Sequence, residues 1–290
     1  MKISVVVPSL NQGSFLGTTL ESILTQPHSD LEIRVCDGGS SDDTLAVLEN
    51  YRSRIAFSTG GDRGQADAIN QGLKEVTGDI VTYLNSDDVY LPSALRRVAE
   101  YFSANDDCQV VYGEAWHVDG GGALLDRYPT EPWNYQRLLE GCYLCQPAVF
   151  WRREIHDRFG VFDETLTYAL DYDYWLRVGR EVRFHYLPGV YLAGSRLHAE
   201  CKTLKHRVAA HHEILEVALR HSSDPPLPCL LNVASVMVEA QRQESEGEIG
   251  DRRWRALLVQ AALQLADQHK IPLNAEFLNY LESLLRVRRP

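Results

Sequence analysis

Four short apolar runs, each followed by hydrophobic residues at helical spacing, fill the amino-terminal third of the chain, and few architectures absorb that pattern. Run 5–7 leads to Leu16, Leu20, Ile23 and Leu24, and run 33–36 to Leu45 and Leu48. Run 55–57 leads to Ala66, Ile69, Leu73 and Val76, and run 80–84 to Leu95, Val98 and Phe102. The runs are solidly apolar and do not alternate, as strands buried on both faces require. Strand–helix alternation of this kind predicts an α/β fold, a central, mainly parallel sheet with helices on both faces. Sheets of that class take ligands at the carboxyl ends of their strands.

Two of those ends carry short acidic turns. Asp37-Gly38-Gly39-Ser40-Ser41-Asp42 follows the second run, and Asn85-Ser86-Asp87-Asp88 follows the fourth. Hard carboxylate oxygens suit Mg²⁺ or Mn²⁺ beside a phosphate. An isolated Asp-Asp before Pro92 would read as a solvated turn, but two such turns at one sheet edge point to a nucleotide site. Pro8 ends the first strand, and with Ser9 it leaves backbone against which a base and ribose could lie. Asp37 can accept hydrogen bonds from a base N–H or a ribose hydroxyl, which suits a uracil or guanine edge. Gly38 and Gly39 allow close approach or positive φ, and Asp42 reads as the N-cap of the next helix.

The formal net charge of -11 excludes the broad basic face that nucleic-acid binding needs. It leaves room for a bound nucleotide, which a metal and a few local cations neutralise. At 44% hydrophobic and 24% charged, the 290 residues have ordinary globular composition. No apolar run is long enough to cross a bilayer, and the first residues enter a strand directly, so no secretory leader is expected. The six cysteines are scattered, and the Cys142/Cys145 C-x-x-C lacks a second pair to complete a zinc site. Reduced thiols in a cytoplasmic protein are expected.

The strand–helix rhythm stops near residue 112. Gly120-Gly121-Gly122 marks a hairpin tip, a strand is expected over 148–151 after Pro147, and a helix opens at Leu170. From about Thr203 the chain reads as helical, broken at Asp224-Pro225-Pro226-Leu227-Pro228. The expected organisation is a domain over 1–203, with a nucleotide-binding half (1–112) and an acceptor half (113–203), then a helical extension over 204–290. That extension carries no chemical motif and suits packing or homo-oligomer formation. Arg286, Arg288 and Arg289 close the chain and give a weak membrane-surface signal against the overall acidity.

Ordered motifs give the chain a resemblance to a known family. Pro8-Ser9-Leu10-Asn11 follows the first strand and Gln26 closes the first helix. Residues 37–44 match a D-G-S-x-D-x-T turn, and residues 62–72 match D-x-G-x-x-D-A-x-N-x-G. Asn85-Ser86-Asp87 occupies a D-x-D position; Gln146-Pro147-Ala148, the block 171–177 and Arg196-Leu197-His198 follow in order. Over roughly the first two thirds of its length the chain resembles the family 2 glycosyltransferases of the GT-A fold.

The resemblance implies an inverting, metal-dependent transfer of sugar from a nucleoside-diphosphate donor (UDP, GDP or dTDP) to a hydroxyl on a glycan or lipid-linked acceptor. It implies donor contacts from Pro8, Ser9, Asn11, Asp37, Gly38, Asp62, Arg63, Gly64, Asp67, Asn70, Asn85 and Ser86. Asn85 replaces the usual Asp, so the Mn²⁺ or Mg²⁺ ion falls to Asp87, with Asp88 as neighbour and His198 as further ligand. Arg196 would clamp the diphosphate. Asp171, at the start of the acceptor helix, would be the base that takes the acceptor proton. Asp173 points elsewhere on that helix and suits its N-terminal dipole; Trp175 suits either a sugar face or the core. Cell-surface polysaccharide or glycolipid synthesis is the implied context, at the cytoplasmic side and with peripheral contact at the inner membrane face left open. Two alternatives stay open. One is a nucleotidyltransferase that makes sugar nucleotides, although the loop Ser9-Leu10-Asn11-Gln12-Gly13 lacks the basic residues such enzymes carry. The other is a non-catalytic nucleotide-binding partner in a glycan-assembly complex, which the Asn at position 85 allows.

Overall fold

The computed structural model describes residues 1–222, 226–244 and 250–286. Asp224, Pro225, Arg288 and Arg289, on which the expected break and the basic terminus partly rest, lie outside them. The chain divides into two compact units, one of Met1–Asn134 with Tyr143–Cys201 and the other of Tyr135–Cys142 with the segment from Lys202 onward.

The first unit holds a nine-stranded sheet. In chain order its elements are β1 (Ile3–Ser9), α1 (Gly13–Leu24), β2 (Leu31–Asp37), α2 (Thr44–Tyr51), β3 (Ala56–Thr59), α3 (Gln65–Glu75), β4 (Ile80–Tyr83), β5 (Val89–Tyr90), α4 (Ala94–Ala104), β6 (Val110–Val118) and β7 (Leu124–Arg127). After the helix α5 (Tyr135–Glu140), which belongs to the second unit, come β8 (Val149–Arg152), α6 (Arg153–Phe159), α7 (Leu170–Gly179) and β9 (Phe184–Arg196). Strands lie in the order β3-β2-β1-β4-β8-β6-β9-β5, with β7 hairpinned onto β6. The first four are mutually parallel, β8 runs against both its neighbours, and β6 and β9 are parallel to each other.

Strand parity assigns the two faces. Ile3, Val5 and Val7 join Leu16, Leu20 and Ile23 of α1 and Leu95, Val98 and Phe102 of α4 in one core. Val6 and Cys36 face α3 on the other side, where Gly72 lets the helix close in. A Cβ at Gly72 would stand 2.4 Å from Val6 Cγ1 and 3.2 Å from Cys36 Sγ. Gly72→Ala should therefore cost about 1–3 kcal/mol through overpacking, read as a lower denaturant midpoint at constant m-value. The same parity in β8 sends Phe150 to the first core and Trp151 to the second. There Trp151, Phe162, Tyr174 and Trp175 pack, with Trp151 and Trp175 edge to face at 5.4 Å. Trp175 is fully buried, so it is core and not a sugar platform.

The second unit is helical: α5, α8 (Lys202–Lys205), α9 (Arg207–His221), α10 (Leu227–Glu244), α11 (Asp251–Gln268) and α12 (Ala275–Arg286). No helix among the described residues is long and apolar enough to cross a membrane. All six cysteines are free thiols.

Candidate active site

Because β1 to β4 are parallel, their carboxyl ends share one edge. Ser9 sits opposite Asp37, Asp37 opposite Thr59, and Leu84 continues beside β1 through its N–H to Val6 O. Both acidic turns lie on that edge, separated by β1, which places them about 10 Å apart.

At the β2 end, Asp37 is buried and organises its own turn. Its Oδ2 accepts the N–H groups of Gly39 and Ser40, both at 3.1 Å, and the Thr59 hydroxyl at 2.7 Å; Oδ1 accepts the Ser40 hydroxyl. Gly39 takes the positive φ of +91°. Gly38 instead provides close approach, since a Cβ there would stand 2.7 Å from an Asp62 carboxylate oxygen. Asn11, at φ 54°, ties the neighbouring loop to this turn, donating its N–H to Ser40 Oγ and accepting the Ser41 N–H. Asp42 accepts N–H groups at the starts of two helices, Gly13 and Thr44, both at 3.0 Å. It does so from the residue before Asp43, which holds the N-cap position of α2. The Ser9 hydroxyl is buried on this edge without a hydrogen-bond partner.

The 62–70 stretch is more internally committed than its sequence suggests. Asp62 accepts the Gly64 N–H, and Gly64 makes the bend into α3 at φ +131°. The Arg63 guanidinium pairs with Asp67 and Glu164. Asp67 also accepts the Arg63 N–H and the Gln71 amide, and Arg63 holds its carboxyl below the usual range. Asn70 was expected to face the donor, but both ends of its amide bond the backbone of Phe162 at 2.9 Å. It clasps α3 to the loop that leads into α7.

At the β4 end the turn 85–88 meets the end of β9. His198 Nε2 lies 3.0 Å from Asp87 Oδ2, across 111 residues of sequence. The His198 ring rests 4.6 Å from Phe15 of α1. Arg196 is buried; its Nε donates to Asp87 O at 2.6 Å and its Nη1 to Asp119 O and Gly120 O, at the tip of the β6–β7 hairpin. Its Nη2 is buried without a hydrogen-bond partner. The Arg196 main-chain N–H donates to Asp88 Oδ1 at 2.8 Å. Burial and the neighbouring Asp87 charge push the Asp88 carboxyl up to about 8. Asn85 acts as a junction: its Oδ1 accepts from Gln65, and its amide N–H group reaches Asp88 at 3.3 Å and Gln146 at 3.5 Å. Thr19 of α1 pins the turn from below by donating to the carbonyls of Ser86, itself buried, and Asp88.

Asp171 stands in the first turn of α7, half-buried, its Oδ1 accepting the Tyr172 N–H. Asp173 is buried and pairs with Arg177 at 3.2 Å.

The site thus supplies an anionic oxygen and an imidazole nitrogen side by side. No group of three or more His, Cys, Asp or Glu side chains able to hold a metal occurs among the described residues. A divalent ion on Asp87 and His198 would therefore take its other ligands from a donor's phosphates and water, as such ions commonly do. The unpartnered Arg196 Nη2 and Ser9 Oγ fit an anionic, hydroxyl-rich ligand, because buried polar atoms are costly to leave unpaired. The pairing of residues 87 and 198 was legible as a motif. The roles of Phe15, Thr19 and Gln65 were not, since an aromatic, a threonine and a glutamine at helix starts carry no distinct sequence signal. A cavity of about 460 Å³ beside Met1, His28 and Arg96 lies at the amino ends of the strands, away from this chemistry.

The mixed sheet thus brings an acidic turn and a histidine together at the carboxyl edge of its parallel strands. The chain belongs to glycosyl transferase family 2, whose model matches residues 4–159, and its fold is GT-A. It is 27% identical over 216 residues to an uncharacterised glycosyltransferase of Rickettsia prowazekii, covering 68% of this chain and 64% of that protein. A PGL/p-HBAD biosynthesis glycosyltransferase of Mycobacterium bovis is 30% identical over 183 residues, covering 60% of this chain and 68% of that one. The chain spans 64% and 36% of the length of the Rickettsia prowazekii and Rickettsia conorii relatives. In fold it is similar to Staphylococcus aureus TarS 1–349 in complex with UDP-GlcNAc, with a TM-score of 0.62 at 17% identity over 98% of this chain and 88% of that one. It is also similar to the Pyrobaculum calidifontis mannosyltransferase PcManGT in complex with GDP-Man and Mn²⁺, with a TM-score of 0.60 at 17% identity over 98% of this chain and 84% of that one.

Proposed function

We propose that this protein is an inverting, metal-dependent glycosyltransferase that moves a sugar from a nucleoside-diphosphate donor to a hydroxyl of a glycan or lipid-linked acceptor. The observation that carries this reading is the Asp87–His198 contact at the shared carboxyl edge, with Arg196 buried behind it. Neighbours of this fold hold UDP-GlcNAc, or GDP-Man with Mn²⁺, which supports a nucleotide-sugar donor and a divalent ion. The order of the edge suits such a donor: the β2 turn toward base and ribose, the β4 turn toward the diphosphate.

A divalent ion held by Asp87 and His198 would neutralise charge on the leaving nucleoside diphosphate. The spare Arg196 Nη2 would donate to a phosphate oxygen from the protein side. Asp171 would take the acceptor proton, and attack opposite the leaving group inverts the anomeric centre. Asp37, Asn11 and Asp62 would shape the base and ribose end, with Pro8, Ser9, Gly38 and Gly64 giving backbone access. Arg63, held by Asp67, would flank the base, while Asn85 and Ser86 set the turn that presents Asp87. Cell-surface polysaccharide or glycolipid synthesis, at the cytoplasmic face of a membrane, is the setting this reading favours.

The test is a thermal-shift and hydrolysis screen with Mn²⁺ and UDP-, GDP- and dTDP-sugars. Slow donor hydrolysis and a raised melting temperature with one nucleotide are expected. Absence of both with every donor overturns the reading. Asp171→Asn should keep donor binding and lose about 10²-fold in transfer rate, the lower end of what a general base contributes.

A further inference from the structure

The β6–β9 pair carries a stripe of stacked rings that the donor chemistry does not use. Residues 112, 114 and 116 alternate onto one face of β6, and β9 shifts register on both sides of Glu114, which pairs Tyr112 with Tyr186 and Glu114 with Tyr191. Tyr112 stacks on Tyr186 with centroids 5.2 Å apart, and Trp116 stacks on Tyr191 at 5.4 Å with 29° between ring planes. The first pair is largely covered, with Tyr112 fully buried; in the second, both rings are half-exposed. Arg127, from the fully exposed strand β7, places its guanidinium carbon 5.7 Å from each ring of that second pair. Leu125, on the same face of β7, is 53% exposed. Glu114 braces the floor, accepting the Tyr186 hydroxyl and the Gly189 N–H, both at 2.8 Å, and bonding Tyr191. These bonds hold the carboxylate below its ordinary range and fix the rings in place.

Position gives this ledge a meaning. Trp116 pairs with Gly194 and Val118 with Arg196, so Trp116 stands two residues, about 7 Å along the strand, from the level of the buried arginine behind Asp87. Arg196 also grips Asp119 O and Gly120 O, so the hairpin that carries Arg127 is anchored to the candidate site. Seven ångströms is about the rise of two strand residues and on the order of one or two sugar rings. Flat aromatic faces flanked by a fork of N–H donors suit the apolar faces and hydroxyls of pyranose rings.

We propose that Trp116, Tyr191 and Arg127 form a subsite for an acceptor oligosaccharide, engaging sugar rings beyond the one that is glycosylated. This rests on the glycosyltransferase reading for its biological sense, but its binding assay is independent of donor chemistry. The neutral source of such rings is N,N′-acetylated chitohexaose and the acidic source hexagalacturonate; each is titrated against the full chain by tryptophan fluorescence and calorimetry. Saturable binding of at least one is expected. Trp116→Ala should weaken it at least tenfold, and Trp116→Phe should recover most of it. Arg127→Ala should weaken the acidic hexamer more than the neutral one if charge contributes, and both equally if only hydroxyls are read. Melting temperature of each variant reports folding, and UDP titration with Mn²⁺ reports the donor site separately. Failure of both hexasaccharides to bind, or equal binding by wild type and Trp116→Ala, overturns the subsite while leaving the donor reading standing.

Discussion

Asp87→Asn should lower kcat/KM for Mn²⁺-dependent transfer by about 10³-fold, a loss of about 4 kcal/mol of transition-state stabilisation. The substitution keeps side-chain size and replaces an anionic oxygen by a neutral amide, which hard divalent ions bind poorly. It leaves the fold in place. The group that Arg196 holds is the Asp87 main-chain carbonyl, which the substitution does not touch. It also removes the like charge that helps push the buried Asp88 carboxyl upward, so thermal stability without metal should hold or rise. The expected signature is a separation: melting temperature kept, the Mn²⁺-induced thermal shift lost, turnover lost. Because His198 contributes nitrogen, Mn²⁺ should support the wild type better than Mg²⁺. A variant within about threefold of wild-type turnover would remove Asp87 from the metal site.

The edge on which this rests was legible in the sequence because parallel strands buried on both faces leave an unmistakable record. Solid apolar runs 5–7, 33–36 and 80–84 became β1, β2 and β4, and the acidic turns that follow them share one end of the sheet. The return of His198 to Asp87 was read from motif order alone, since no local pattern says where a residue 111 positions away will sit. What could not be read is how far the polar side chains satisfy one another. Asn70 and Asp67 look like ligand contacts in a motif, yet Asn70 is spent on Phe162 and Asp67 on Arg63 and Gln71. A buried turn must pair its own polar atoms before it can bind anything, and those partners come from loops with no spacing signal. Trp175 failed to declare itself for the same reason, because its neighbours Trp151 and Phe184 arrive from separate strands. The segment 135–142 groups with the helical unit from Lys202 onward, a long-range association that composition does not encode.

Arg196→Met should destabilise the protein by about 3–5 kcal/mol, the range for removing one partner from a buried charged network. Among the described residues Arg196 is 3% exposed, and its guanidinium satisfies three main-chain carbonyls from two separate loops. Its carbon sits 5.1 Å from the Phe15 ring centroid, so the cation also holds α1 against the turn. Methionine fills much of the volume but donates nothing, leaving the carbonyls of Asp87, Asp119 and Gly120 to find water or move. Loss of the positive charge also removes a contribution that opposes the rise of the Asp88 carboxyl. For a domain of this size the cost corresponds to a fall on the order of 10 °C in melting temperature. Arg196→Lys separates charge from geometry: an ammonium restores the charge but not the planar fork that reaches two loops at once, so it should recover only part of the loss. Guanidinium denaturation of the two variants decides the matter. If both match wild type within about 1 kcal/mol, the guanidinium is not structural, and its sole remaining task is the phosphate contact at Nη2, which nucleotide titration of the same variants would then show as weakened binding on an unchanged fold.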